Sequence, residues 1–175
     1  MAVLEIRLVP DPILAKKAHK IKKIDDSIRT LAFDMLETLQ YAHGVGLAAN
    51  QVGVLKRIAV IQTSSEDQPI YIINPEIIET IGEREVEEGC LSIPGYVANI
   101  FRSENVKVKA QDLNGKKLKI DATGLLAQAL EHEIDHLNGI LYLDHLKSHQ
   151  DLRKINEESE LITQDEKITS NEENS

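Results

Sequence analysis

A carboxylate on the apolar side of a helix constrains this chain more than any other feature. The stretch 124–138 repeats apolar residues at helical spacing, and Gly139 is placed as its stop. With His132 set at zero, His136 lies about 40° away on the same face, one turn along. Leu126, Leu130, Ile134 and Leu137 fall between roughly 120° and 200°, with Leu125 and Ala129 at roughly 20° and 60°. Gln128, Glu131 and Asp135 take the opposite arc and are expected to face water. Glu133 sits at roughly 100°, among the apolar residues.

His132-Glu133-Ile134-Asp135-His136 is an H-E-x-x-H pattern, and two imidazoles one turn apart can share one metal ion. An amphipathic helix with histidines at its edge would account for the pair, but it would put an apolar residue at 133. A buried carboxylate without a partner costs on the order of several kcal/mol, so it has a partner or a task. A metal-held water supplies both, with Glu133 as general base. The third ligand stays open. The extension H-E-x-x-H-x-x-G-x-x-H is followed through Gly139, after which Tyr142 stands where histidine is required. A downstream carboxylate would be Glu157, Glu158 or Glu160, all in a polar tail. His145 and His149 are also four apart, but no glutamate follows His145 and both read as solvated. Cys90 is the remaining candidate and the better ligand; as a lone cysteine it also reads as a small buried hydrophobe. Its surroundings, Glu87-Glu88-Gly89-Cys90-Leu91-Ser92, suit a tight turn at a strand end.

Upstream, Asp25 or Asp26 can cap a helix whose apolar positions Ile28, Leu31, Met35, Leu36 and Leu39 recur with helical period and end before Gly44. Val- and Ile-rich runs at 54–62, 70–74 and 83–88 predict strands. Alternation through 105–120 around Asn114-Gly115 predicts a hairpin with a two-residue turn. The segment 11–24, with Lys16, Lys17, Lys20, Lys22 and Lys23, reads as surface. Gly44-Val45-Gly46-Leu47-Ala48-Ala49-Asn50-Gln51 superficially fits a dinucleotide fingerprint, but it follows a helix where that motif must follow a strand. It is either a plain helix-to-strand turn or a loop that lets backbone approach a substrate, with the Gln51 amide as donor.

Composition narrows the partners. The 175 residues carry 20 Lys plus Arg against 29 Asp plus Glu, and the net charge of -9 argues against nucleic acid or an anionic membrane. That length suits one domain. A single cysteine excludes an internal disulfide and points to a reducing, cytoplasmic setting. No run approaches the roughly 20 apolar residues of a membrane span. Residues 151–175 hold eight acids and three bases. They are expected as an acidic tail, partly helical and then disordered, behind a domain at 1–150.

Taken together, Gly44-x-Gly46-x-Ala48-Ala49-x-Gln51, Glu88-Gly89-Cys90-Leu91-Ser92 and His132-Glu133-x-Asp135-His136 resemble the three signature motifs of the peptide deformylases, in that family's order and spacing. The likeness runs from Pro10-Asp11-Pro12 to about residue 146. It implies a single α+β domain, with antiparallel sheets packed around a central HExxH helix and a C-terminal helix or tail. It implies removal of the formyl group from N-formyl-methionyl peptides, releasing formate from nascent polypeptides. One divalent metal ion would be held by Cys90, His132 and His136, Fe2+ foremost, with Zn2+, Ni2+ or Co2+ as alternatives. Glu133 would be base and then acid, with the Gln51 side-chain amide and the Leu91 backbone N–H as oxyanion donors. The resemblance puts the methionine pocket among Val45, Val86, Leu125, Ala129 and the His132 ring. It puts the peptide backbone beside Gly46 and Gly95-Tyr96-Val97, as an added strand. Glu88 and Arg102 are expected to pair behind the site. Two positions depart from the family. Some bacterial members carry arginine where Val97 stands, and some dock on the ribosome through a basic C-terminal helix. Here Lys147, Arg153 and Lys154 give way to acid, so docking is expected to be weaker or placed elsewhere. Two rivals stand beside this reading: an H-E-x-x-H peptidase using a tail glutamate, and a non-catalytic binding module, which would have lost Glu133 or a ligand.

Overall fold

A computed structural model describes residues 2–155. Helix α1 spans Asp26–Tyr41, and Asp25 caps it by accepting from the N–H groups of Ser27 and Ile28. Helix α2 spans Gly124–Leu137. A five-stranded antiparallel sheet runs in the order β1 (Gly46–Ala48), β2 (Ile58–Ile61), β3 (Ile70–Ile81), β6 (Asn105–Gln111), β7 (Lys117–Thr123). A second antiparallel sheet joins β4 (Arg84–Cys90), β5 (Ile93–Arg102) and β8 (Arg153–Lys154). The fold is α+β in a single domain.

Period-2 alternation explains how two helices share one sheet. On β2, Ala59 and Ile61 pack toward α2 with Ala127, Leu130, Ile134 and Leu137. Ile58 and Val60 point the other way, into a cluster with Ile28, Met35 and Leu39 of α1. All four β2 residues are buried. A third cluster, around Val86, Ile93, Ala98, Ile100 and Tyr142, lies with the smaller sheet.

The smaller sheet covers the polar arc of α2, so that arc is a seam rather than a wet face. Glu131 accepts from the backbone N–H and hydroxyl of Ser103, both at 2.9 Å. Asp135 accepts from Arg102 at 2.7 Å and pairs with His145 Nε2 at 2.8 Å. Gln128 donates to the Glu87 carbonyl at 3.1 Å. The expectation that these three residues simply face water is corrected: Arg102 and Ser103 at the end of β5 and the Glu87 carbonyl on β4 take them up, while His145 is exposed as expected.

Other boundaries differ for local reasons. Strand β3 continues to Ile81 rather than ending at 74, because Asn74 adopts φ 51° at a register shift and the ladder resumes at Glu76. Asn74 also exchanges two 2.8 Å hydrogen bonds with the backbone of Ile21, which fixes the lysine-rich segment. That segment is not all surface, since Leu14, Ala18 and Ile21 are buried. The 105–123 hairpin turns through more than two residues: Gln111 pairs with Lys117, and the Asp112 carboxylate accepts from the N–H groups of Asn114 and Lys116. Residues 153–154, expected in a helix, form a strand; the disordered remainder expected for the tail lies outside the described residues.

Gly139 ends α2 at φ 75°, and a Cβ there would lie 2.6 Å from the Ala15 carbonyl oxygen. Both the conformation and the contact exclude a side chain. Gly139→Ala is expected to destabilise the fold by about 2 kcal/mol, seen as a Tm lower by roughly 4–8 °C in a calorimetric scan.

Candidate active site

Helical spacing places the two histidines of α2 together, with ring centroids 4.7 Å apart and Nε2 atoms 3.1 Å apart. Both are buried. Cys90 reaches them from the second sheet. It ends β4 where the β4–β5 register breaks, and the turn through Leu91 and Ser92 sets it opposite Ile93. Its Sγ lies 3.2 Å from His136 Nε2. The ligand atoms of Cys90, His132 and His136 all lie within 4.8 Å of one another. Thus the residue left as one candidate among several closes the triangle; Glu157, Glu158 and Glu160 lie outside the described residues.

Charge around the trio is arranged from behind. Glu88 accepts from Arg102 through Nε at 3.1 Å and Nη2 at 2.7 Å, and meets His132 Nδ1 at 2.9 Å. Burial pushes the Glu88 carboxyl up, but its hydrogen bonds with His132 and Arg102 outweigh that and hold it at about 2. It therefore stays ionised behind His132 and fixes which ring nitrogen faces the trio. Burial and the neighbouring His132 charge depress His136, while hydrogen bonding to Cys90 and Glu88 overcomes burial and raises His132.

Glu133 is only 2% exposed, and its Oε2 has no hydrogen-bond partner among the described residues. Burial is the main cause raising its carboxyl to about 7, with the His132 charge opposing and Glu88 adding to the rise. Gly46 makes room for it: a Cβ there would sit 2.4 Å from Glu133 Oε1. One glycine of the loop thus admits the protein's own carboxylate, a role the sequence reading had reserved for substrate backbone.

Gln51 is buried in a short 3-10 helix, Ala49–Val52, after β1. Its Oε1 accepts from the Ala48 N–H at 2.9 Å, which turns Nε2 toward Ser92 Oγ at 3.2 Å and Cys90 Sγ at 3.5 Å. The donor therefore points into the site. Gln51, Leu91 and the trio's Cys90 and His132 line a cleft of about 580 Å³ together with Glu133.

The expected substrate residues divide on this cleft. Val45, Gly46, Leu125 and Ala129 line one part and Gly95, Tyr96 and Val97 another. Val86 does not line it; two residues before the lining Glu88 on the same face of β4, it packs into the third core cluster. The outer edge of Tyr96 and Val97 is paired with Lys154 and Arg153 of the same chain, so it offers no free ladder to an added strand. Gly46 belongs to β1, an end strand of its sheet.

Sequence reasoning missed several contributors. Asn50 Nδ2 donates to the His136 backbone carbonyl, tying the glycine loop to α2. Ser92 receives the Gln51 amide. Tyr142, noted only as a failed histidine, is 1% exposed, stacks against His132 with centroids 6.5 Å apart and donates to the Tyr96 carbonyl at 3.3 Å. Position within the three motifs could have flagged Asn50 and Ser92; nothing local marks Tyr142.

Comparison with known proteins identifies the family. The polypeptide deformylase family model matches residues 3–152. A peptide deformylase of Dehalococcoides mccartyi is 49% identical over 161 residues, covering 92% of this chain and 96% of its own. One of Thermodesulfovibrio yellowstonii is 53% identical over 147 residues, covering 82% and 89%. The crystal structure of a peptide deformylase from Legionella pneumophila superposes with a TM-score of 0.83 at 46% identity, covering 86% of this chain and 89% of its own. That of the Synechococcus elongatus enzyme, in complex with actinonin, gives 0.81 at 40%, covering 85% and 81%. Among the described residues no helix is long and apolar enough to cross a membrane. The chain belongs to the polypeptide deformylase family, metal-dependent hydrolases that remove the N-formyl group from nascent peptides.

Proposed function

We propose that Cys90, His132 and His136 hold one divalent metal ion, that Glu133 carries the proton of the reaction, and that Gln51 and the Leu91 backbone N–H meet the oxyanion. The supporting observation is a buried carboxylate, partnerless at one oxygen among the described residues, that shares a cleft with Cys90 and His132, whose ligand atoms converge with that of His136. The trio fits a metal: ligand atoms around a tetrahedral ion at ordinary bond lengths stand roughly 3.3–3.6 Å apart, close to the 3.1 and 3.2 Å found. A thiolate with two imidazoles suits Zn2+ by softness, Ni2+ or Co2+ could enter the same ligand set, and the resemblance to the family favours Fe2+. When bound, the ion supplies Lewis acidity and a water that ionises near neutral pH.

The protein's own groups then account for the rest. Glu133 takes a proton from the water adding to the formyl carbon, and its raised carboxyl suits both acceptance and release near neutrality. Gln51 Nε2, held by the Ala48 N–H, and the Leu91 N–H donate to the oxygen as it gains charge. Glu133 returns the proton to the departing nitrogen, leaving formate and a free amino terminus. The first side chain of an N-formyl-methionyl peptide enters between Val45, Leu125 and Ala129, beside the His132 ring. A single thiol of this kind stays reduced in the cytoplasm, where such peptides arise. Ribosome docking would not rest on Arg153, which is tied to Glu87 and Asn99.

Protein purified without oxygen is expected to carry about one metal ion per chain and to release formate from formyl-Met-Ala-Ser. Cys90→Ala is expected to lose metal and activity together. A metal-loaded wild type that releases no formate overturns the reading. A Cys90→Ala protein that keeps its metal overturns the ligand assignment.

A further inference from the structure

The C-terminal strand β8 reaches the same cleft. Leu152 packs against the third core cluster. Arg153 Nη2 donates to Glu87 Oε2 at 2.9 Å and to Asn99 Oδ1 at 2.7 Å. Tyr96 lies opposite Lys154 and Val97 opposite Arg153 in the ladder, and the Ile155 N–H donates to the Gly95 carbonyl at 2.8 Å. These ties deliver Ile155, half-buried, into the wall of the catalytic cleft on the side formed by β5. Charged Arg153 and Lys154 face outward, while the residues before and after them, Leu152 and Ile155, are partly covered.

A branched apolar side chain fixed in such a wall is suited to receive another apolar side chain. Its few rotamers are already restricted by the clasp, so contact costs little further ordering. The pocket for the first residue of the peptide is built from α2 and Val45, whereas Ile155 stands with β5. It therefore meets a later residue.

We propose that Leu152–Ile155 forms the outer wall of the substrate cleft, with Ile155 a specificity-determining residue for an apolar side chain beyond the first residue of the formylated peptide. The inference rests on the deformylase reading above. It assigns a binding role to a segment that the motifs do not include, and it makes Arg153 a positioning residue acting through the clasp.

The test compares formyl-Met-Leu-Leu with formyl-Met-Gly-Gly on the full-length, metal-loaded protein, scoring the ratio of kcat/KM values. Wild type is expected to prefer the leucine peptide. Ile155→Ala is expected to cut that ratio by about ten-fold, the scale for losing a few methylenes from an apolar contact, through KM of the leucine peptide with its kcat held. Ile155→Leu is expected to keep the preference, and Arg153→Gln to lose part of it by the same KM route. A wild type without preference, or an Ile155→Ala ratio equal to wild type, overturns the proposal. So does a fall in kcat shared equally by both peptides, which marks a structural role. A wild type silent on both peptides overturns the deformylase reading itself, and the proposal with it.

Discussion

Glu133→Gln is expected to lower kcat for formate release by about 10²–10⁴-fold, the range for losing a positioned general acid–base, while the metal content stays at the wild-type level. The amide matches the carboxylate in shape, so it still fits against Gly46, where the space is too tight for a Cβ. What it loses is the ability to accept a proton and return it. The substitution should also leave the protein no less stable. Glu133 is 2% exposed and its Oε2 is partnerless among the described residues, so its carboxylate is held at a cost that a neutral amide reduces. Activity falling while thermal stability holds or rises is the signature of a group kept for chemistry rather than for the fold. Formate release, metal analysis and a melting curve on one preparation check all three parts. Metal-replete Glu133→Gln protein with near wild-type kcat would remove Glu133 from the proton transfer.

Legibility in the sequence followed how local each cause was. Asp25 caps α1 from its own neighbourhood, and the apolar positions from Ile28 to Leu39 needed only the helical period. The same period placed Glu133 among apolar residues, where it is buried. Cys90 was readable as a turn residue because Gly89 and Ser92 flank it, but its approach to His136 depends on a helix 46 residues away in sequence. The helical wheel failed where partners came from elsewhere. It sent Gln128, Glu131 and Asp135 to water because polar residues default there, and it held no information about Arg102 and Ser103 arriving from the end of β5. Val86 is absent from the cleft wall for a related reason: strand alternation gives it the face it shares with Glu88, which does line the cleft, but cannot say how far along β4 the cleft reaches. The β8 pairing was illegible, since two charged residues carry no strand period of their own.

Arg102→Ala is expected to produce the largest loss of stability, about 3–5 kcal/mol, the scale for breaking a buried ion pair by removing one partner. The guanidinium is 4% exposed and serves two carboxylates at once, Glu88 through Nε and Nη2 and Asp135 through Nη1. Without it, Glu88 keeps only the His132 ring and the long Gln128 contact at 3.4 Å, and Asp135 keeps His145. The damage should reach the metal trio, because Glu88 orients His132 from behind, and losing such support typically weakens metal binding by about 10–100-fold. Arg102→Lys should recover only part of either effect, since one ammonium cannot reproduce a planar fork spanning two carboxylates. Denaturant midpoints give the stability, and competition against a chelator gives the metal affinity. The two readouts separate a packing role from an electrostatic one: lost packing alone would shift the midpoint while a folded Arg102→Lys protein held metal as wild type does. An Arg102→Ala protein that unfolds at the wild-type denaturant concentration and keeps its metal as tightly would mean that the buried carboxylates find protons or water instead, and that the network behind His132 does not govern the site.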